Sequence, residues 1–140
     1  MKKPIYPCLW FNGQAKAAAE FYCSVFKDSR ILADTPMVVT FEVNGTKFMG
    51  LNGGPEFTFD EAISFVVDCE TQEEIDHYWD KLTEGGQESN CGWLKDKFGL
   101  SWQIVPEIIG SLMTDPEKAP RAMQALMKMR KINIEALKNA

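Results

Sequence analysis

Apolar and polar residues alternate most clearly over residues 91–106. Leu100, Trp102 and Ile104 alternate with Ser101, Gln103 and Val105, a period of two that predicts a strand. A shorter run carrying Trp93 and Leu94 ends in Lys95-Asp96, and Lys97, Phe98 and Gly99 join the two runs as a tight turn. Successive strand side chains face opposite ways. If Trp102 and Ile104 pack into a core, Ser101 and Gln103 project from the other face.

The rest of the chain falls into two similar halves. An apolar run over residues 5–11 predicts a strand, and Asn12-Gly13 ends it, with Asn12 placed to cap the next helix. Ala18, Phe21, Tyr22 and Val25 then recur at helical spacing, which predicts a helix over residues 14–26. Strands are predicted over residues 30–33, 37–43 and 46–51, with Asn44-Gly45 as the hairpin turn. The second half starts with a strand over residues 62–69. Thr71 and Glu74 form a capping box, and Ile75, Tyr78, Trp79 and Leu82 predict one helix face. Gly85-Gly86 ends that helix, and short strands follow. Strand, helix and three strands thus occur twice, over residues 4–54 and 61–106, a duplicated βαβββ unit. The fold class is α+β, with curved mixed sheets and C-terminal helices in one domain over residues 1–140. In the tail, Ala119, Ala122, Met123, Leu126 and Met127 make an apolar stripe, and Asn133 can cap a last short helix carrying Ile134 and Leu137.

Composition narrows the functional classes. The chain has 140 residues, of which 45% are hydrophobic and 25% charged, enough for a real core. The net charge of −5 argues against nucleic acid, which needs a basic footprint. No apolar run reaches the length of a membrane span, so a cytoplasmic location without membrane partners is expected. Cys8, Cys23, Cys69 and Cys91 form no C-x-x-C motif and are expected as free thiols. His77, the single histidine, falls on the polar face of its helix and is expected at the surface.

Three groups of residues resemble one family. They are Glu20-Phe21-Tyr22 with Val25-Phe26; Cys91-Gly92-Trp93-Leu94-Lys95-Asp96 with Phe98-Gly99-Leu100-Ser101-Trp102-Gln103; and Ala125-Leu126-Met127-Lys128-Met129 with Ile134-Glu135-Ala136-Leu137. Together with the doubled βαβββ order, they resemble the vicinal oxygen chelate superfamily of glyoxalase I, bleomycin-resistance proteins and extradiol dioxygenases. The words resemble its PhnB-like branch, often labelled 3-demethylubiquinone-9 3-methyltransferase. The resemblance implies the fold and a homodimer, for which Ala122, Met123 and Leu126 offer an apolar face. The superfamily's metal-ligand positions fall near Pro7, near Gly50 or Asn52, near Ser64 and at Gln103, and none of them is a histidine or carboxylate. The expectation is therefore no metal and no cofactor. Candidate ligand-pocket residues are Gln103, Ser64, Trp93, Cys91, Ser101, Leu9 and Pro7, and no catalytic residue stands out.

Four functions follow. The first is a metal-free small-molecule-binding protein. The second is an enzyme of the same superfamily, glyoxalase- or dioxygenase-like. The third is the methyltransferase of the branch label, although the sequence lacks a glycine-rich strand-to-helix turn followed by an acid. The fourth is an interaction domain docking through the Met-rich C-terminal helix.

Overall fold

The computed structural model describes residues 2–140. The chain divides into two compact units, one up to Phe59 and the other Asp60–Ala140. The first holds β1 (Cys8–Phe11), α1 (Ala15–Val25), β2 (Arg30–Asp34), β3 (Val38–Val43) and β4 (Thr46–Asn52). Its strand order is β1-β4-β3-β2, with β1 parallel to β4 and the other pairs antiparallel. Leu9, Phe11, Val39, Phe41, Val43 and Phe48 are buried, as are Ala15, Ala18, Ala19, Tyr22 and Val25 of α1. The Tyr22 and Phe41 rings stack at 6.2 Å, and Phe41 stacks on Phe48 at 5.6 Å. Asn44 and Gly45 both take positive φ, 51° and 83°, as a two-residue hairpin turn requires.

The cap of α1 differs from the sequence expectation. Asn52, not Asn12, accepts a hydrogen bond from the Ala15 backbone N–H at 2.9 Å. Pairing of Phe11 with Asn52 brings the end of β4 beside the chain as it leaves β1. The cap is therefore supplied from a residue distant in sequence.

The second unit repeats the topology with β5 (Ser64–Cys69), α2 (Gln72–Thr83), β6 (Gln87–Glu88), β7 (Trp93–Lys95) and β8 (Ser101–Pro106). The strand order is β5-β8-β7-β6, and β5 is parallel to β8. Thr71 Oγ1 accepts from the Glu74 N–H at 3.2 Å, as its capping position predicts. Ile75, Trp79 and Leu82 of α2 are buried, together with Cys69, Leu94, Trp102 and Ile104 of the sheet.

Three helices follow in the same unit: α3 (Ile108–Thr114), α4 (Ala119–Leu126) and α5 (Ile134–Lys138). Leu112, Ala122, Leu126, Ile132 and Leu137 form their core, and Cys91 and Val105 pack against it. Asn133 caps α5, accepting from Ala136 N–H at 2.9 Å. The apolar stripe of α4 is only half covered. Ala122 and Leu126 are buried by the chain's own helices, while Met123 is 45% and Met127 68% exposed.

Backbone and side-chain bonds fasten this tail. The Cys91 and Gly92 N–H groups donate to the Met129 and Arg130 carbonyls, each at 2.8 Å. The Gln72 amide donates to the Ile132 carbonyl and accepts from the Ile134 N–H. Lys131 pairs with Asp76 at 2.9 Å. Hydrogen bonds from Lys131 and Gln72 hold the Asp76 carboxyl below its ordinary value of 3.8. A lowered folded-state value gives stability that is present above the unfolded value and lost as pH falls through the folded one. Asp76→Asn should therefore be less stable than the parent near neutral pH. The gap should close below the ordinary carboxylate range, as read by urea unfolding across that window. A gap that persists at the lowest pH would contradict the linkage.

Candidate functional site

The turn between β7 and β8 is built on a buried carboxylate. Asp96, 3% exposed, accepts from the Phe98 N–H at 2.9 Å and the Leu100 N–H at 3.1 Å through Oδ1. Its Oδ2 accepts from the Trp102 indole N–H at 2.9 Å. Gly99 sits between at φ 89°. These bonds set the register in which Trp93 lies opposite Gln103 and Lys95 opposite Ser101. On the other side of β8, Ser64 pairs with Ser101 and Val66 with Gln103.

Strand alternation then sorts the side chains. Leu94, Trp102 and Ile104 enter the core. Trp93, Lys95, Ser101, Gln103 and Ser64 share the opposite, open face. On that face the Gln103 amide donates to the Ser64 hydroxyl at 3.0 Å. Lys95 makes an ion pair with Glu61. The Ser101 residue is 1% exposed, and its buried hydroxyl has no hydrogen-bond partner among the described residues. A cavity of about 230 Å³ is lined by Glu61, Gln87, Glu88, Ser89, Trp93, Leu94, Lys95 and Ser101. Packing of Val105 against the tail core bounds one end of the open face.

The sequence candidates are distributed as follows. Trp93 and Ser101 line the cavity, and Gln103 and Ser64 are bonded to each other on the same face. Cys91 stands in the turn before β7 at φ 60° and packs against the tail core rather than the cavity. Leu9 is 5% exposed, within the core of the first unit. Its strand partner Gly50 faces α1, where an added Cβ would lie 3.1 Å from that of Ala15. Leu9 therefore turns away from the open face of its own sheet. Pro7 precedes β1 and contributes its carbonyl to the Met49 N–H at 3.0 Å. Glu61, Gln87, Glu88, Ser89, Leu94 and Lys95 also line the cavity and were not among the sequence candidates. Lys95 was within reach, because it lies two residues from Trp93 on one strand. Glu61 comes from the stretch before β5 and carries no local signal.

Among the described residues, no three His, Cys, Asp or Glu side chains gather where they could hold an ion. Gly50 has no side chain, Pro7 has no side-chain donor, and Ser64 and Gln103 are neutral oxygen donors, poor compensation for a dehydrated cation. His77 is exposed on α2, with its ring against Tyr78 at 5.0 Å. The donor set does not fit a metal centre. The Cys69 and Cys23 thiols do not fit a nucleophile either. Burial, with Glu74, Asp68 and Glu107 nearby, pushes Cys69 up to about 12, and burial also raises Cys23.

Comparison with known proteins agrees with this architecture. A family profile described as 3-demethylubiquinone-9 3-methyltransferase matches residues 3–105; α3, α4 and α5 lie beyond it. The PhnB protein from Bacillus cereus is 34% identical, with a TM-score of 0.68 over 74% of this chain and 99% of that one. Protein PA1353 from Pseudomonas aeruginosa has the same fold at 20% identity, TM-score 0.65, over 76% of this chain and 98% of that one. The fosfomycin resistance protein FosX from Listeria monocytogenes, solved with Mn(II) and sulfate, shares the fold at 10% identity, TM-score 0.55, over 74% and 89%. No curated protein matches the chain. No helix among the described residues is long and apolar enough to cross a membrane. On the family match and the Bacillus cereus relative together, the chain belongs to the PhnB-like family described as 3-demethylubiquinone-9 3-methyltransferase.

Proposed function

We propose that the protein binds a small organic molecule, without a metal, on the open face of its second sheet. One observation carries the reading: the cavity beside β7 and β8 sets an aromatic surface at Trp93 among polar groups that include the unpartnered Ser101 hydroxyl. Six of the eight lining residues are polar or charged, so the site offers several hydrogen-bonding partners beside one aromatic surface. A metalloenzyme reading draws on fold neighbours such as the Mn(II) complex of FosX, but this chain's donors at the corresponding positions do not supply the charge. The methyltransferase label lacks its usual support as well, because each sheet is mixed, not the doubly wound parallel sheet of a dinucleotide-type site. The exposed Met123 and Met127 favour self-association of the chain in the cytoplasm, which sedimentation at micromolar concentration would test.

The binding reading is tested by thermal melting against a panel of small organic compounds. A ligand at about 100-fold its Kd adds about 2.7 kcal/mol to stability and raises Tm by several degrees. Trp93→Ala should abolish the shift. A shift that appears only once a divalent metal is added would favour the enzyme reading instead.

A further inference from the structure

Resting on that binding reading, we propose that the ligand is a small monoanionic organic acid whose carboxylate replaces Glu61 on the Lys95 ammonium and takes a second hydrogen bond from Ser101. Lys95 and Ser101 are direct cross-strand partners, and both line the cavity. The side chains of Lys95 and Glu61 are 36% and 62% exposed, so their ion pair stabilises the fold little and is readily exchanged. In the structure a carboxylate thus already occupies the position that a ligand carboxylate would take. The Ser101 hydroxyl beside it is buried and unsatisfied, an arrangement that costs free energy until a partner arrives. An acceptor reaching Lys95 is placed to become that partner once Glu61 withdraws.

Size and charge narrow the ligand further. The cavity volume of about 230 Å³ lies below the range of about 300–1,000 Å³ that holds drug-sized ligands. One ring or a short chain is therefore the upper limit. Trp93, two residues before Lys95 on the same strand, offers a flat apolar surface for the body of the acid. Lys95 is the one cationic side chain in the lining, set against Glu61 and Glu88. Glu88 is already engaged, accepting from the Trp79 indole N–H at 2.8 Å and lying 3.8 Å from Arg130. A single negative charge can be compensated there, and a dianion cannot.

Calorimetric titration of the full chain with benzoate, and with its neutral isostere benzamide, tests this. Benzoate should bind at least about fivefold more tightly than benzamide, the equivalent of one ion pair. Lys95→Met should erase that preference. Glu61→Gln removes the competing carboxylate and should tighten benzoate by about fivefold. Ser101→Ala, which removes an unsatisfied hydroxyl, should keep its melting temperature and weaken benzoate. Equal affinity for the two probes, or weaker benzoate binding in Glu61→Gln, overturns the acid assignment while leaving small-molecule binding intact. Absence of benzoate binding at concentrations on the order of 10 mM also overturns it, and the melting panel then decides the binding reading separately.

Discussion

Trp102→Ala should lower the unfolding free energy by about 3–5 kcal/mol, as truncation of a buried tryptophan generally does. The residue is 3% exposed on the central strand β8, against Phe65 at 5.7 Å between ring centroids. Its loss also removes the indole N–H that satisfies Asp96 Oδ2 at 2.9 Å. A buried carboxylate deprived of a donor adds desolvation cost to the cavity cost. The same carboxylate shapes the turn that sets Lys95 opposite Ser101, so the variant should lose ligand response along with stability. His77→Ala, on the exposed side of α2, should stay within about 0.5 kcal/mol of the parent. Urea unfolding of the two variants compares them directly, and equal losses would mean that the buried and open faces have been exchanged.

Gly92→Ala should be nearly as damaging, by about 2–5 kcal/mol, the sum of a left-handed backbone penalty and overpacking. Gly92 sits at φ 86°, and an added Cβ would lie 2.8 Å from the Ile104 carbonyl oxygen and 2.7 Å from Ile132 Cδ1. Neither neighbour gives way easily. Ile104 belongs to β8, and its N–H donates to the Gly92 carbonyl at 2.8 Å, while Ile132 is fully buried in the tail core. Gly99→Ala separates the two causes. Gly99 has a similar φ of 89° but nothing within 4 Å of an added Cβ, so only the backbone penalty of about 1–2 kcal/mol applies. Equal denaturation midpoints for the two variants would contradict the close approach of the tail at Gly92.

The doubled βαβββ order was legible because both periods are strongly written. The alternation from Leu100 to Val105 identified β8 and put Ser101 and Gln103 on one face, where the structure has them. The capping positions Thr71 and Asn133 were legible because the signal is local. What escaped depended on pieces distant in sequence. The cap of α1 comes from Asn52, 37 residues from its donor. The tail stripe at Ala122 and Leu126 read as a surface awaiting a partner, whereas Ile132 and Leu137 of the same chain pack with it. The Lys95–Glu61 pair joins a strand to a preceding loop, and no local pattern signals such a pairing.

On the binding proposal, the open face of the second sheet holds an organic ligand and no metal. The most direct measurement is native mass spectrometry combined with elemental analysis, on protein purified without chelators or a metal-affinity tag. A non-covalent organic adduct that Trp93→Ala no longer retains is expected, with metal well below one equivalent per chain. One zinc, nickel, manganese or iron per chain, lost on mutating Gln103, would contradict it.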